Sequence, residues 1–375
     1  MKKIRPDYYN KFTCIADKCP ITCCKEWKIA VDADTNRKWK KLLPPEDVEP
    51  KRKNLSAYTM KKDGGRVIEL KENHKCPFLN ENKLCKLVTA YGEKVLSETC
   101  TVFPREVHRY EAHEEETLMP CCPAVIDILS DSDIESIRLQ EFELEKFLVR
   151  EKIVELLADE SYSTEEALLC AFYIISELLK KEEEAKQLVP EYFSAENKSQ
   201  LKAAIRSMEA DIHATMEEGN ELLLDIAVNY QKEGLYQNYL NPILTKAEEL
   251  SGQYETVSEE ELCQFQKKIK AFEALFRKFL INEINSDFVL PGGDLESMVI
   301  QFQWIAMEYA VIKQSIFLKW LLDGKKEIAY ETVRDYIVII CRMTGYDEED
   351  IYEYLENSFE SLVWDWGYLA LIVGK

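Results

Sequence analysis

From residue 129 to the C-terminus, apolar residues recur at the three- and four-residue spacing of an amphipathic helix, and few prolines or glycines interrupt the segments. The pattern predicts a helix over 132–158, opened by Ser132-Asp133 and carrying Ile134, Ile137, Leu139, Phe142, Leu144, Phe147, Leu148, Ile153, Val154 and Leu157 on its apolar side. Ser163-Thr164-Glu165-Glu166 opens a second helix, whose interior, 167–179, is apolar almost throughout and so belongs at the centre of a bundle. Further helices are predicted over 198–218, 222–232, 242–250, 258–281, 295–322, 329–343 and 347–371, with turns at Gly252 and at Pro291-Gly292-Gly293-Asp294.

The first 128 residues follow a different pattern. Breaks at Pro44-Pro45, Gly64-Gly65 and Asn80-Glu81-Asn82 separate strand-like stretches at 66–70 and 76–79, and 107–110 pairs with 116–119 as a hairpin around 111–115. A segment so short and rich in turns is expected to have little core of its own and to need a metal or disulfide staple. The expected fold is mainly α: an irregular α+β cysteine-rich N-terminal module over 1–128, followed by an all-α helical bundle over 129–375.

Charge sharpens this division. Residues 1–128 hold 24 Lys+Arg against 20 Asp+Glu, and the remainder holds 24 against 49, so the net −21 of the chain resides in the helical part. An acidic body repels phosphate backbones, so nucleic acid is not an expected partner. It favours a lysine-bearing protein partner, although a solvated acidic helical surface explains the same charge. The basic start, Met1 to Pro6, runs into polar Asp7 to Lys11 where a secretory signal would turn apolar. The most apolar later run, 305–322, is interrupted by Glu308, Lys313 and Lys319, which a membrane span rarely carries. A cytoplasmic protein with no membrane partner is expected, and in that reducing compartment clustered cysteines read as metal ligands rather than disulfides.

Of the 12 cysteines, Cys14, Cys19, Cys23, Cys24, Cys76, Cys85, Cys100, Cys121 and Cys122 fall in the first third, with spacings C-x4-C-x3-C-C, C-x8-C-x14-C and C-C-P. Thiolates select zinc or iron-sulfur clusters, and four of them complete either site. Nine candidates exceed one site, so either two sites exist or some cysteines are bystanders. The lack of C-x2-C knuckles shifts the balance from zinc toward iron-sulfur. The C-x3-C-x2-C pattern of radical chemistry fails, because Glu26 stands where the third cysteine is required. Cys170, Cys263 and Cys341 are assigned to packing.

Phosphate-binding glycine loops, H-E-x-x-H and G-x-S-x-G are all missing. His74, two residues before Cys76, is a further possible ligand; His108 and His113 are expected at the surface beside the hairpin turn, and His213 within a helix. Arg105, in Phe103-Pro104-Arg105 just after Cys100, could present a fixed guanidinium to a cofactor carboxylate or sulfur, or simply pair with an acidic helix. The Trp364-Asp365-Trp366-Gly367-Tyr368 stretch reads as core, with an aromatic ligand wall as the alternative.

Pro6-Asp7-Tyr8-Tyr9 with Phe12 and Cys14, then Cys19-x3-Cys23-Cys24-Lys25-Glu26-Trp27 and Asp32, resembles the opening of the flagellin lysine-N-methylase family. Cys76-Pro77-Phe78-Leu79-Asn80 to Leu84-Cys85, then Gly92-Glu93, Cys100 and Phe103-Pro104-Arg105, resembles its second block, and Cys121-Cys122-Pro123-Ala124 its third. The central block is shared with a broader group of small zinc- or iron-chelating proteins, and the helical part carries no motif of the family. One cysteine is expected before the proline, so Cys121 and Cys122 compete for that place.

The resemblance implies methyl transfer from S-adenosylmethionine to flagellin lysines, with an iron-sulfur cluster, 4Fe-4S, held by the cysteines. Only the neutral amine is a nucleophile and lysine's free pKa is about 10.4, so a working site must desolvate or deprotonate it. A cleft between module and bundle is the expected place. Two other classes remain open on the residues alone: a non-catalytic zinc- or iron-binding adaptor, and an iron-sulfur electron-transfer or assembly protein.

Overall fold

The computed structural model describes all residues except 63, 140–146, 210, 346–347, 360, 362–363 and 375. In the N-terminal part, β1 (Lys2–Ile4) lies parallel to β5 (His113–Leu118), which pairs antiparallel with β4 (Arg105–Arg109); β2 (Thr59–Lys62) and β3 (Gly65–Ile68) form a separate hairpin. Three short helices join them: α1 (Ala33–Trp39), α2 (Lys86–Tyr91) and α3 (Glu98–Val102). Asp32 caps α1 by accepting from Thr35 N at 2.7 Å, and its other oxygen accepts from Glu98 N at 3.0 Å, which fastens α3 to α1. Ile29, Trp39, Leu55, Tyr58, Ile68, Phe78 and Leu87 are buried together, so this part has a small core of its own, which the sequence pattern did not suggest.

Two expectations here need correction. The stretch 76–79 is a turn rather than a strand: Pro77 has no N–H to donate, and a single bridge between Leu79 and Cys85 is all the ladder it makes. The hairpin loop is tighter than 111–115, because Tyr110 N donates to His113 O at 2.9 Å and closes it over Glu111 and Ala112.

The helical part begins with α4 (Pro123–Asp131), which starts directly after Cys122 and runs across position 128. The single helix expected over 132–158 is instead α5 (Ile134–Ile137), capped by Asp133, and α6 (Leu148–Ala158); Phe142 and Leu144 lie outside the described residues. α7 (Thr164–Leu179) opens with the capping box of Ser163 and Glu166. α8 (Ala185–Tyr192) was not anticipated, since Pro190 near its end disguises it. The segments 198–218 and 222–232 resolve into α9 (Ala195–Arg206) and α10 (Ile212–Glu233), the latter capped by Asp211 and ended by Gly234 in the left-handed region. α11 (Gln237–Leu250) starts before Pro242 and contains it, and 258–281 divides into α12 (Glu259–Ile269) and α13 (Glu273–Ser286) at a 3-10 turn. α14 (Leu295–Leu322) and α15 (Tyr330–Thr344) follow. The last predicted helix is divided into α16 (Glu348–Phe359) and α17 (Trp366–Val373), where Asp365 caps a new start; Asp347, its predicted first residue, lies outside the described residues.

α14 is the axis of the bundle. It is apolar on nearly every face and is packed by α7, α10, α11, α13, α15, α16 and α17. The chain is therefore mainly α, with small sheets confined to its N-terminal third. The N-terminal sheet is part of the same packing: Tyr8, Tyr9, Phe12, Tyr110 and Leu118 are buried in one continuous core with the helices. Polar ties cross this seam. Arg150 on α6 donates to both oxygens of Glu115 on β5 at 2.7 and 2.8 Å, Ser286 Oγ donates to Thr117 Oγ1 at 2.8 Å, and Asn282 Nδ2 donates to Leu118 O at 3.0 Å.

Candidate functional site

The loops of the N-terminal part bring the cysteines together from distant positions. Cys76 N donates to Cys24 O at 2.9 Å, Cys85 stands at the start of α2, and Cys100 lies in α3, where Ser97 Oγ accepts from its N–H. Cys24, Cys76, Cys85 and Cys100 thus border one small core, with Cys23 hydrogen-bonded to Cys24. Cys122, at the start of α4, feels the charges of Cys19 and Cys23, and Cys19 those of Cys23 and Cys14. Two neighbouring groups emerge, with Cys23 between them. Burial pushes Cys100 up to about 11 and Cys122 up to about 12, whereas the hydrogen bond from Cys24 and the charge of Arg342 hold Cys23 down at about 7. The donor set fits a thiolate-bound group in kind and number. Among the described residues no three cysteine sulfurs lie within 4.8 Å of one another. A single tetrahedral zinc would need them within about 4 Å, given Zn–S bonds of about 2.3 Å.

Arg342 on α15 reaches into these loops. Its Nε donates to Cys121 O at 3.0 Å and its Nη2 to Ile21 O at 2.9 Å, with the guanidinium 5.4 Å from the Trp27 ring centroid. The helical bundle therefore fixes the backbone beside two of the candidate cysteines.

A cavity of about 400 Å³ opens on the other side of Cys121, along the seam between sheet and bundle. Glu106 and His108 face it from alternate positions of β4, Glu283 and Asp287 from successive turns at the end of α13, and Gln301, Trp304, Ile305 and Glu308 from one stripe of α14. Cys341 and Thr344 of α15 and Glu348 of α16 complete its wall. Glu283 and Glu308 are each 5% exposed, and among the described residues neither forms an ion pair with Lys or Arg. The Thr344 hydroxyl lies against the Glu308 carboxylate, Asn282 Nδ2 donates to Glu283 Oε1 at 3.3 Å, and Trp304 Nε1 donates to Thr344 O at 3.1 Å. Burial and then the charges of Glu308, Asp287 and Glu106 push Glu283 well above the usual carboxylate range. Asp287, Glu308 and Glu106 are raised too, burial being the largest cause in each. Ligand atoms of Glu106, His108 and Asp287 lie within 4.8 Å of one another.

The remaining candidates fall elsewhere. Arg105 is on the opposite face of β4 from this cavity, its guanidinium 5.2 Å from the Phe12 ring centroid and 5.9 Å from that of Tyr9. His74 has a positive φ in the turn before Cys76. His108 and His113 are not surface residues: His108 lines the cavity, and His113 is fully buried, stacked on Tyr110 and 3.0 Å from Glu115. Cys170 and Cys341 are buried as expected, but Cys263 is exposed. The 364–368 stretch is core only in part: Tyr368 is buried, Trp366 is half-buried with its Nε1 donating to Leu169 O at 2.9 Å, and Trp364 is exposed. The cavity's carboxylates went unnoticed as a group because they come from four separated segments, although a glutamate within the apolar run 305–322 was a visible signal.

Residues 150–372 match the family model of the FliB lysine N-methylase C-terminal domain. This is more than half of the chain, and the chain belongs to that family. Among curated relatives, a lysine-N-methylase of Salmonella typhimurium is 32% identical over 150 residues, covering 36% of this chain and 34% of that protein. A flagellar biosynthetic protein FliU of Salmonella muenchen is also 32% identical over 150 residues, covering 36% of this chain and 82% of that protein. The match thus spans about a third of the length of the lysine-N-methylase. No solved structure matches this chain. No helix among the described residues is long and apolar enough to cross a membrane.

Proposed function

We propose that this protein is a lysine N-methyltransferase that modifies flagellin, takes its methyl group from S-adenosylmethionine, and holds an iron-sulfur cluster, 4Fe-4S, in its N-terminal module. The observation that carries the reading is the carboxylate-lined cavity at the seam, directly beside Cys121 and formed largely by the helices that match the lysine N-methylase family. The names of the relatives support both the reaction and a flagellar substrate. The acidic surface suits a basic protein partner and disfavours nucleic acid.

The chemistry fits what the cavity offers. A lysine ammonium entering it leaves water, gains carboxylate partners, and passes a proton to one of them, so that its lone pair becomes free to attack. The sulfonium donor supplies an electrophilic methyl carbon; the N–C bond forms as the C–S bond breaks, and a neutral thioether leaves. Cys24, Cys76, Cys85 and Cys100, with Cys23 adjacent, would hold the cluster, four thiolates being the ligand set such a group takes.

The test is metal and sulfide analysis of the anaerobically purified chain, with mass spectrometry of flagellin incubated with it and S-adenosylmethionine. Iron and sulfide in equal amounts together with methylated lysines are expected. A colourless zinc-loaded protein that leaves flagellin unmodified would overturn the reading and favour a metal-binding adaptor.

A further inference from the structure

Five carboxylates, Glu106, Glu283, Asp287, Glu308 and Glu348, line the seam cavity, and among the described residues none is ion-paired to Lys or Arg; the one side chain beside them that can carry positive charge is His108, 3.7 Å from Glu106. With these carboxyls gathered in one wall, a cation from outside is the partner that lets some of them stay ionised. A second observation shows what accompanies the cation: Gln301, 2% exposed and lining the same cavity, has an Nε2 with no hydrogen-bond partner. A buried amide donor left unmatched is costly, so the ligand that completes this cavity carries an acceptor as well as a positive charge.

The helix sets the distance between these two demands. Gln301 and Glu308 lie on one stripe of α14, seven positions apart, which is about 10 Å along the axis. Between them the wall is apolar, made by Trp304 and Ile305. An extended lysine side chain has this pattern: an amide carbonyl at one end, an unbranched methylene stem, and an ammonium at the other.

We propose that the seam cavity is the lysine subsite, with Glu308 and Glu283 receiving the ammonium, Trp304 and Ile305 flanking the stem, and Gln301 donating to a carbonyl of the incoming backbone. The assignment rests on the methyltransferase reading for its purpose but not for its ligand. Glu106, His108 and Asp287 are close enough to hold a metal ion. A metal ion alone, however, needs neither the apolar wall nor the Gln301 donor, and a cavity of about 400 Å³ far exceeds it.

The experiment is calorimetric binding of Nα-acetyl-lysine methylamide to the full chain, with Nα-acetyl-norleucine methylamide as its uncharged counterpart and MnCl2 as the metal arm. The lysine amide should bind at least tenfold more tightly than the norleucine amide, and Glu308→Gln and Gln301→Ala should each remove at least fivefold of its affinity. Equal binding of the two amides by the unmodified chain overturns the assignment without recourse to any variant. So does unchanged affinity in both variants, or a stoichiometric Mn²⁺ site that excludes the lysine amide. Methylation of flagellin by the unmodified chain is scored separately. Selective lysine binding without methyl transfer refutes the methyltransferase reading and leaves the subsite standing; transfer without selective binding does the reverse.

Discussion

Replacing Arg150 with methionine tests how the N-terminal sheet is held on the bundle. Arg150 and Glu115 are 8% and 2% exposed, joined by two parallel hydrogen bonds of 2.7 and 2.8 Å. An exposed pair of this kind contributes at most about 1 kcal/mol. Buried, its loss strands a carboxylate with only His113 beside it, and breaking such pairs costs about 3–5 kcal/mol. We place Arg150→Met at about 3 kcal/mol, since His113 at 3.0 Å retains part of the compensation. Glu115→Leu combined with Arg150→Met removes both charges and should restore most of the loss.

The pH dependence has a definite sign. Burial alone would raise Glu115, but hydrogen bonding and charge from Arg150, and then from His113, outweigh it and leave the carboxyl below its ordinary 4.5. The stabilisation is therefore complete above that value and fades as the pH falls below it, so the deficit of Arg150→Met should shrink in acid. Hydrogen exchange at β5 and α6 is the suitable assay, because a chain of 375 residues need not unfold in one step. A loss below about 1 kcal/mol, or a double variant no more stable than the single, would refute the reasoning.

Other outcomes follow from the same geometry. Cys76→Ala, Cys85→Ala and Cys100→Ala should each lower iron and sulfide content, and Cys170→Ala should not; equal loss in all four, by elemental analysis, would show the partition to be wrong. Glu165 is held at about 2 because the charge and hydrogen bond of Lys313 outweigh its burial. That stability is present above about pH 4.5 and lost toward pH 2, and Lys313→Met should flatten or invert the acid side of a Tm-versus-pH curve. Asp294→Ala removes the side-chain acceptor for Ser297 N at the start of α14 and should cost about 1 kcal/mol by urea titration, against no measurable change if the cap is idle.

Helical period alone located α7, α14 and α15 to within a residue or two, because their apolar faces are long and their starts are marked by Ser163, Asp294 and the break before Tyr330. Breaks without proline or glycine were invisible: α12 and α13 are separated only by a 3-10 turn, and α9 and α10 only by a new cap at Asp211. The cysteines announced themselves through spacing and count. The cavity did not, because Glu106, Glu283 and Glu308 meet only when β4, α13 and α14 pack, and no periodicity of one segment records a contact between three. His113 misled for the same reason, since a polar residue at a hairpin end is usually solvated unless a bundle covers it, as α6 does here through Arg150.

The carboxylates at the seam are proposed to receive the lysine amine. The most direct measurement is the rate of methyl transfer to flagellin by Glu308→Gln and Glu283→Gln, quantified by peptide mass spectrometry against the unmodified chain at matched iron content. Both variants should be folded, carry the cluster, and transfer at least tenfold more slowly at subsaturating flagellin. Transfer at the unmodified rate by both would contradict that role.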